Sequence, residues 1–187
     1  DVCSQQNKCC WKPAPDTNVP WCFFPRNWGY EVPSGKNHTR TGFTAQLKKL
    51  PFPSLFGYDV KNALFTAEYQ TSNRFHFKIN DSENKRYEVP SEIINLSNRT
   101  TRTSNLNYHI EVIDKPFSIK IMRTSNRRVL LDTSIGPLQF AQQYLQLSFR
   151  LPSTAVYGLG EHVHQQYRHN MSWKTWPIFT RDAAPTK

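Results

Sequence analysis

Near the C-terminal end of the chain, aromatic residues stand beside an arginine and an aspartate. Aromatic faces stack on sugar rings, and a carboxylate accepts hydrogen bonds from paired hydroxyl groups, so this segment could form one wall of a carbohydrate site. The alternative is that the indoles pack against a sheet edge while Asp182 pairs with Arg181, and composition favours neither. The residues concerned are Trp173, Trp176, Phe179, Arg181 and Asp182.

A group of histidines with one glutamate is spaced somewhat like a set of metal ligands. Imidazoles bind zinc, and alternate residues of a strand face the same side of a sheet. The group follows Gly158 and Gly160, however, where a strand would end in a loop, and it lacks a well-placed fourth ligand. We therefore expect neither a metal nor a cofactor. The residues considered are Glu161, His162, His164 and His169.

No complete catalytic apparatus is recognisable in this span. The sequence contains no G-x-S-x-G turn and no glycine-rich phosphate loop. None of its 14 carboxylates forms a persuasive pair of the kind that cleaves glycosidic bonds. The residues alone thus describe a binding or structural portion of a protein rather than a whole active site.

All cysteines lie within the first 22 residues, as Cys3, Cys9, Cys10 and Cys22. Adjacent cysteines point their side chains apart, which suits two separate disulfides better than one tetrahedral zinc site. Glycosylation sequons of the form N-x-[ST] accompany them. Together these features predict a secretory-pathway protein with at least some of its sequons glycosylated. The sequons begin at Asn37, Asn80, Asn95, Asn98 and Asn170.

The formal charge of +10 arises from 24 lysines and arginines against 14 aspartates and glutamates. Such an excess first suggests nucleic-acid binding, but the cations are scattered among Asn, Ser and Thr without a stripe or a basic helix, so we expect no nucleic-acid partner. The apolar runs are far shorter than the ~18–20 residues that span a bilayer, so no membrane span is expected either. Any secretory signal or anchor would lie upstream of Asp1.

The chain that must position these residues changes in composition near residue 26. Residues 1–26 are dense in Cys, Pro and Trp and indicate a small disulfide-rich module. Residues 27–187 alternate apolar and polar positions in short segments, which predicts an antiparallel β-sandwich of about eight to ten strands. Residues 81–85 are predicted as a hairpin connection and 140–144 as a single helical turn. The clearest alternating segments are 43–47, 74–80, 107–113, 117–121 and 145–149.

The first residues resemble the second half of a trefoil (P-type) module. The resemblance rests on the order Cys3 … Cys9-Cys10-Trp11 … Pro20-Trp21-Cys22. Trefoil modules pair their six cysteines first with fifth, second with fourth and third with sixth, and the cysteines here match the last four. The resemblance therefore implies a Cys3–Cys22 disulfide. It leaves Cys9 and Cys10 with partners upstream of this chain, or free, or rearranged.

Downstream, several ordered phrases carry a second resemblance: Gly42-Phe43-Thr44-Ala45, Asn73-Arg74-Phe75-His76-Phe77-Lys78, Tyr157-Gly158-Leu159-Gly160-Glu161-His162 and Thr175-Trp176-Pro177-Ile178-Phe179. They are similar to the N-terminal part of the α-glucosidases of glycoside hydrolase family 31. The likeness is greatest to the intestinal maltase-glucoamylase and sucrase-isomaltase type, with the lysosomal acid α-glucosidases more distant.

This resemblance implies a retaining exo-acting α-glucosidase that releases glucose from maltose and short α-glucan ends. Both catalytic aspartates of such an enzyme belong to a (β/α)8 barrel that follows the sandwich, so the partners implied are that barrel and the oligosaccharide. No catalytic residue falls in this span, which alone is expected to be inactive. The location implied is the secretory pathway, with the enzyme secreted or anchored at the extracellular face of the apical plasma membrane.

The resemblance assigns one substrate-binding residue to this chain. In the family, a loop that leaves the sandwich reaches over the barrel mouth and carries an Arg-Asp whose carboxylate binds substrate hydroxyls, and the matching position is Asp182. Intestinal members have a substrate-contacting threonine two residues later, where this chain has Ala184. That difference suggests an altered preference for the leaving group. The alternative function is a stand-alone secreted carbohydrate-binding or mucin-associated module without catalysis.

Overall fold

The computed structural model describes residues 2–16, 19–90, 92–93, 104–158 and 166–175. Regular structure in this part of the chain is almost entirely antiparallel β, with one short helical turn at Val2–Gln6, so the predicted all-β class is confirmed. The strands are β1 (Cys10–Trp11), β2 (Cys22–Phe23), β3 (Tyr30–Glu31), β4 (Lys36–Thr39), β5 (Gly42–Lys49), β6 (Asn62–Tyr69), β7 (Phe75–Asp81), β8 (Tyr108–Asp114), β9 (Phe117–Arg123), β10 (Val129–Asp132), β11 (Gln139–Ala141) and β12 (Tyr144–Gln146).

Two sheets form the body of the molecule. The larger sheet has the order β3-β5-β6-β7, and β4 pairs with the first half of β5. The smaller sheet has the order β10-β9-β8, and two further ribbons pair β1 with β2 and β11 with β12. Most paired strands are neighbours in sequence, because antiparallel strands can be joined by short turns and need no crossover helix.

The hydrophobic core lies between the two sheets. Phe117 and Ile119 of the smaller sheet face the larger one, and the fully buried ring of Phe65 contacts the ring of Phe117 at 5.2 Å between centroids. Two layers that bury a shared apolar interface make a β-sandwich, as the alternating segments predict. The larger sheet contributes alternate residues of β5 and β6, namely Phe43, Ala45, Leu47, Ala63, Phe65 and Ala67.

Tyr30 connects three segments of the sandwich. Its hydroxyl donates to the carbonyl of Val60 at 2.5 Å, with the carbonyl of Phe140 at 3.2 Å. The Val60 N–H donates to the same Phe140 carbonyl at 2.9 Å. Burial raises the pKa of Tyr30 well above its ordinary value, and the charges of Asp59 and Asp81 add to that increase. The phenol therefore keeps its proton and remains a hydrogen-bond donor.

Most of the alternating segments are strands where the sequence predicts them. On β7, for example, Phe75, Phe77 and Ile79 pack against the core while the residues between them face outwards. The exception is the segment 145–149, of which only the first residues belong to a strand, β12.

The helical turn predicted for residues 140–144 is wrong. Gln139–Ala141 forms strand β11, which pairs with β12 so that Phe140 lies opposite Leu145. A short apolar run has no period that separates helix from strand. Its conformation is fixed instead by a distant partner, because the Phe140 carbonyl accepts the N–H of Val60.

An aromatic cluster joins the disulfide-rich module to the sandwich. The buried ring of Trp28 stacks on Phe52, with 4.9 Å between centroids and an interplanar angle of 10°. Phe24 also stacks on Trp28, with 5.9 Å between centroids. Cys3 and Cys9 are buried in the same cluster. Full burial of a large apolar side chain contributes about 1.5–3 kcal/mol, so the two parts are firmly packed. The predicted boundary between the module, residues 1–26, and the sandwich, residues 27–187, stays a proposal.

Candidate functional site

The described segments nearest in sequence to the predicted sugar-binding loop are residues 154–158 and 166–175. They lie side by side, because Tyr157 and Arg168 form an antiparallel bridge and the N–H of His169 donates to a carbonyl of the other segment at 2.8 Å. A groove of about 590 Å³ opens along them. Hydroxyl, amide and guanidinium groups such as these bind sugar hydroxyls through hydrogen bonds. The polar lining residues are Thr154, Gln166, Arg168, Asn170 and Ser172.

His169 fixes one end of this groove. It is only 4% exposed, and its Nε2 lies 2.5 Å from the carbonyl oxygen of Gly158. Gly158 has a φ of 77°, a backbone conformation that glycine adopts more readily than other residues. Glu161, His162 and His164 lie outside the described residues. Within the described ranges, no three histidine, cysteine or carboxylate side chains are grouped to hold an ion. The expectation that this chain has no metal site stays a prediction.

Trp173 is the first residue of the aromatic segment that the sequence analysis singles out. Its side chain is 60% exposed rather than packed against a sheet edge, and it directly follows the groove residue Ser172. An exposed indole in this place is available to stack on a sugar ring. The assignment of Asp182 stays a prediction, because the rest of the segment lies outside the described residues: Trp176, Phe179, Arg181, Asp182 and Ala184.

The structure joins Cys3 to Cys22 in a disulfide, which is the pair that the trefoil resemblance implies. Cys9 and Cys10 are free thiols. Burial raises the pKa of the Cys9 thiol, and the neighbouring Cys10 adds a smaller electrostatic increase. Since the thiolate is the reactive form, a raised pKa makes the Cys9 thiol less reactive than an ordinary cysteine.

The β1–β2 hairpin presents aromatic rings to solvent. Trp11 is 46% exposed, Trp21 38% and Phe23 46%. The two indoles meet edge to face, with 5.5 Å between ring centroids and an interplanar angle of 79°. Exposed aromatic rings are available to stack on a ligand or to pack against another part of a protein.

Two sequon asparagines share the outer face of the larger sheet. Asn37 is exposed on β4, and Asn80 is half-buried on β7. Each asparagine pairs with a residue of the neighbouring strand. That paired residue alternates along its own strand with the buried core residues, so both asparagines lie on the face turned away from the core. Asn170 is exposed, whereas Asn95 and Asn98 lie outside the described residues.

A buried carboxylate borders a second groove, of about 540 Å³. Asp81 has a side chain that is 4% exposed and accepts hydrogen bonds from the N–H groups of Glu83 (2.9 Å) and Asn84 (3.1 Å). It also accepts one from Nη2 of Arg86 at 3.3 Å, and the same guanidinium donates to the carbonyl of Gln142 at 2.9 Å. This network is not among the sites predicted from the sequence, although the turn-forming run after Asp81 is a signal for it.

The hairpin connection predicted for residues 81–85 is wrong. β7 ends there, but residues 82–90 contain no strand that would return beside it. Arg86 instead folds back onto Asp81, and its guanidinium lies 5.0 Å from the ring centroid of Phe140. An ion pair and a cation–π contact thus replace the expected strand pairing.

Asp81 gives the fold a pH dependence of defined sign. Burial raises its pKa, but the hydrogen bonds from Glu83, Asn84 and Arg86 outweigh burial and hold the pKa below its ordinary value. A carboxyl group with a lowered folded pKa stabilises the fold above its unfolded pKa of about 3.9, and this contribution is lost as the pH falls through the folded value.

We therefore expect Asp81→Asn to lower the free energy of unfolding by about 1–3 kcal/mol at neutral pH and by less at an acidic pH below the folded pKa of Asp81. Urea unfolding at both pH values measures the difference. Glu92→Gln, which changes an exposed carboxylate, is the matched control and should have little effect. An equal loss for Asp81→Asn at both pH values would mean that its charge does not stabilise the fold.

Comparison with known proteins identifies a matching domain family and several relatives of this chain. Residues 1–25 match the Trefoil (P-type) domain family. The whole chain is 75% identical to "Probable maltase-glucoamylase 2" of Homo sapiens and spans 7% of that protein. It is 51% identical to intestinal sucrase-isomaltase of Oryctolagus cuniculus, over 97% of this chain and 10% of the relative. It is 36% identical to lysosomal alpha-glucosidase of Rattus norvegicus, over 96% of this chain and 19% of the relative.

These similarities confirm the resemblance to α-glucosidases, and they extend along essentially the whole chain. The chain spans less than one fifth of the length of each of these curated relatives. The trefoil match and the disulfide together indicate a secretory-pathway protein. In the described ranges, no helix combines the length and apolar character that a membrane crossing requires.

Proposed function

We propose that this chain is the N-terminal portion of a retaining exo-α-glucosidase that releases glucose from maltose and short α-glucan ends. The observation that carries the proposal is identity along the whole chain to proteins named as maltase-glucoamylase, sucrase-isomaltase and alpha-glucosidase. Retaining hydrolysis needs two carboxyl groups about 5–5.5 Å apart, one as nucleophile and one as acid and then base. We assign both to a (β/α)8 barrel that follows the sandwich in the parent polypeptide.

The role of this chain in that enzyme is to bind and orient the sugar. The Asp182 carboxylate accepts hydrogen bonds from a pair of sugar hydroxyls, and it neither transfers a proton nor attacks the anomeric carbon. The polar groove beside His169 and the exposed ring of Trp173 support this role, because both belong to the segment that leads towards Asp182. Orientation of a bound substrate by groups outside the chemistry can supply much of the rate.

We place the parent enzyme on the extracellular side of the apical membrane or among secreted proteins, with N-linked glycans on some of its sequons. Support comes from the secretory character of the disulfide-rich module and from the exposure of Asn37. An oligosaccharide can be attached at an exposed asparagine without disturbing the core.

The test is expression of the intact polypeptide that contains this chain, followed by maltose hydrolysis under proton NMR. We expect an initial excess of α-glucose over the anomeric mixture that the reducing-end residue of maltose contributes, and this excess then disappears by mutarotation, because a retaining enzyme preserves the configuration of the cleaved bond. The 187-residue chain alone should release no glucose. A folded intact polypeptide that leaves maltose unchanged, or that first releases an excess of β-glucose over that mixture, would contradict the proposal.

A second candidate function is a secreted carbohydrate-binding module without catalysis. The exposed hairpin rings of Trp11, Trp21 and Phe23 favour it, because indole faces stack on sugars wherever they are accessible. This candidate predicts that the chain alone binds oligosaccharide and that Trp21→Ala abolishes binding. The glucosidase proposal predicts instead that binding and hydrolysis of maltose survive Trp21→Ala in the intact polypeptide.

A further inference from the structure

Several turns meet at the end of the sandwich where β5 begins. The N–H of Tyr69 donates to the carbonyl of Thr41 at 2.8 Å, which joins the β4–β5 turn to the end of β6. The N–H of Asn107 donates to Ser72 at 2.9 Å, and the N–H of Thr124 donates to Asn107 at 2.9 Å. The β6–β7 turn, the start of β8 and the β9–β10 turn are therefore neighbours in space.

Each of these turns carries arginine. We call the group formed by Arg40, Arg74, Arg123, Arg127 and Arg128 the arginine end. All of them except the half-buried Arg74 are exposed. These arginines are scattered along the sequence, and the fold brings the turns that carry them to one end of the sandwich.

The exposed members of the arginine end are not neutralised by carboxylates. In the part of the chain that the structure describes, Arg40, Arg123, Arg127 and Arg128 form no ion pair within 4.0 Å. Four ion pairs of a lysine or arginine with a carboxylate lie elsewhere in the described ranges, for example Lys49 with Asp59 at 3.1 Å. A local excess of fixed positive charge attracts anions from solution.

The β9–β10 turn brings like charges together. Arg123 and Arg128 lie opposite each other, since the Arg123 N–H donates to the Arg128 carbonyl at 2.9 Å. Like charges in directly opposed positions destabilise a strand pair. Between them, Arg127 has a φ of 55°, a left-handed conformation that turns normally give to Gly, Asn or Asp. A bound anion would turn this unfavourable arrangement into a favourable one.

A groove of about 440 Å³ runs beside the turn. Arg123, Arg127 and Thr124 line one side and supply hydrogen-bond donors, and His109 adds an imidazole. Glu111 also lines the groove and would repel an anion at its own end, so the attractive part is the side of the turn. Guanidinium groups pair with sulfate or phosphate oxygens in a two-pronged geometry that lysine does not offer.

We propose that the arginine end binds a sulfated glycan chain. A glycan fits better than a nucleic acid, because sites for single-stranded nucleic acid rely on exposed aromatic faces and the ring of Tyr108 in this groove belongs to a buried residue. The secretory character of the disulfide-rich module also directs the chain to a compartment where sulfated polysaccharides occur. This site is independent of the glucosidase proposal and stands if that proposal fails.

The test uses the intact polypeptide and a fluorescent heparin-derived octasaccharide, with the unsulfated heparosan octasaccharide as the matched ligand. We expect binding to the sulfated ligand that weakens steeply between about 50 and 200 mM salt, and at least about tenfold weaker binding to the unsulfated one. Equal affinity for both ligands would overturn the proposal. A single-stranded oligonucleotide of equal charge that binds more tightly than the octasaccharide would overturn it as well.

A double variant, Arg127→Asn with Arg128→Gln, tests the location of the site. Asparagine tolerates the left-handed conformation at position 127, so the fold should persist, as a thermal melt will verify. We expect about tenfold weaker binding or more. The matched control is Lys61→Gln with Lys85→Gln, which removes the same charge from exposed lysines near the opposite ends of β6 and β7. If the control weakens binding as much as the arginine variant, the site is not at the arginine end.

Discussion

Replacement of Asp182 by alanine in the intact polypeptide is expected to lower kcat/KM for maltose about 100-fold. A hydrogen bond to a charged group contributes about 1.5–3 kcal/mol, and each 1.4 kcal/mol is a factor of ten. Asp182 is proposed to hold two hydroxyls of the sugar that is cleaved, so its loss affects the transition state as well as the bound substrate. Steady-state kinetics with maltose measures the effect.

The variant Asp182→Asn refines this prediction. It preserves shape and loses charge, so it should lie between alanine and the unchanged enzyme if the hydrogen bonds are charge-assisted. Glu92→Ala, at an exposed carboxylate, is the control for a general effect of removing negative charge. If kcat/KM for maltose is the same with and without Asp182, this residue does not contact the substrate.

Phe65→Ala is expected to lower the free energy of unfolding by about 3–5 kcal/mol. Phe65 is fully buried at the contact between the two sheets, where its ring meets those of Phe43 (5.9 Å), Phe77 (5.9 Å) and Phe117 (5.2 Å). Truncation removes apolar burial and leaves a cavity that a sheet-to-sheet interface cannot close. Urea unfolding followed by tryptophan fluorescence measures the loss.

Tyr87→Ala is the matched control, because it deletes an aromatic ring that is 86% exposed. It should change the free energy of unfolding by less than about 0.5 kcal/mol. A small effect of Phe65→Ala, similar to that of Tyr87→Ala, would mean that the two sheets do not share the core described above.

The sequence predicts those parts of the fold whose signals are local. The strand β7 is an example, because the alternation of Phe75, Phe77 and Ile79 reports directly which face meets the core. β11 could not be predicted in this way. Its conformation depends on Val60, a residue far away in the chain whose N–H reaches the Phe140 carbonyl. Local propensity cannot reveal a partner that only the fold supplies.

The candidate sites follow the same rule. The Cys3–Cys22 pair is implied by a motif that lies within one short stretch, and the structure contains that disulfide. The arginine end, in contrast, is assembled from turns as distant as those of Arg40 and Arg128, so their charges look dispersed along the chain. The role of Asp182 comes from resemblance alone, since no spacing of residues in the sequence identifies a sugar hydroxyl as its partner.

The position of Tyr30 has a consequence for the way this sandwich opens. Its hydroxyl lies within hydrogen-bond distance of carbonyls from two other segments, at Val60 and Phe140, and Val60 and Phe140 also bond to each other. Release of Tyr30 leaves the buried carbonyl of Val60 without its donor, and release of Phe140 leaves the N–H of Val60 without its acceptor, each at a cost of about 1–3 kcal/mol. The strands therefore cannot fray singly at this point, and β3, the β11–β12 ribbon and the start of β6 form one cooperative unit of unfolding.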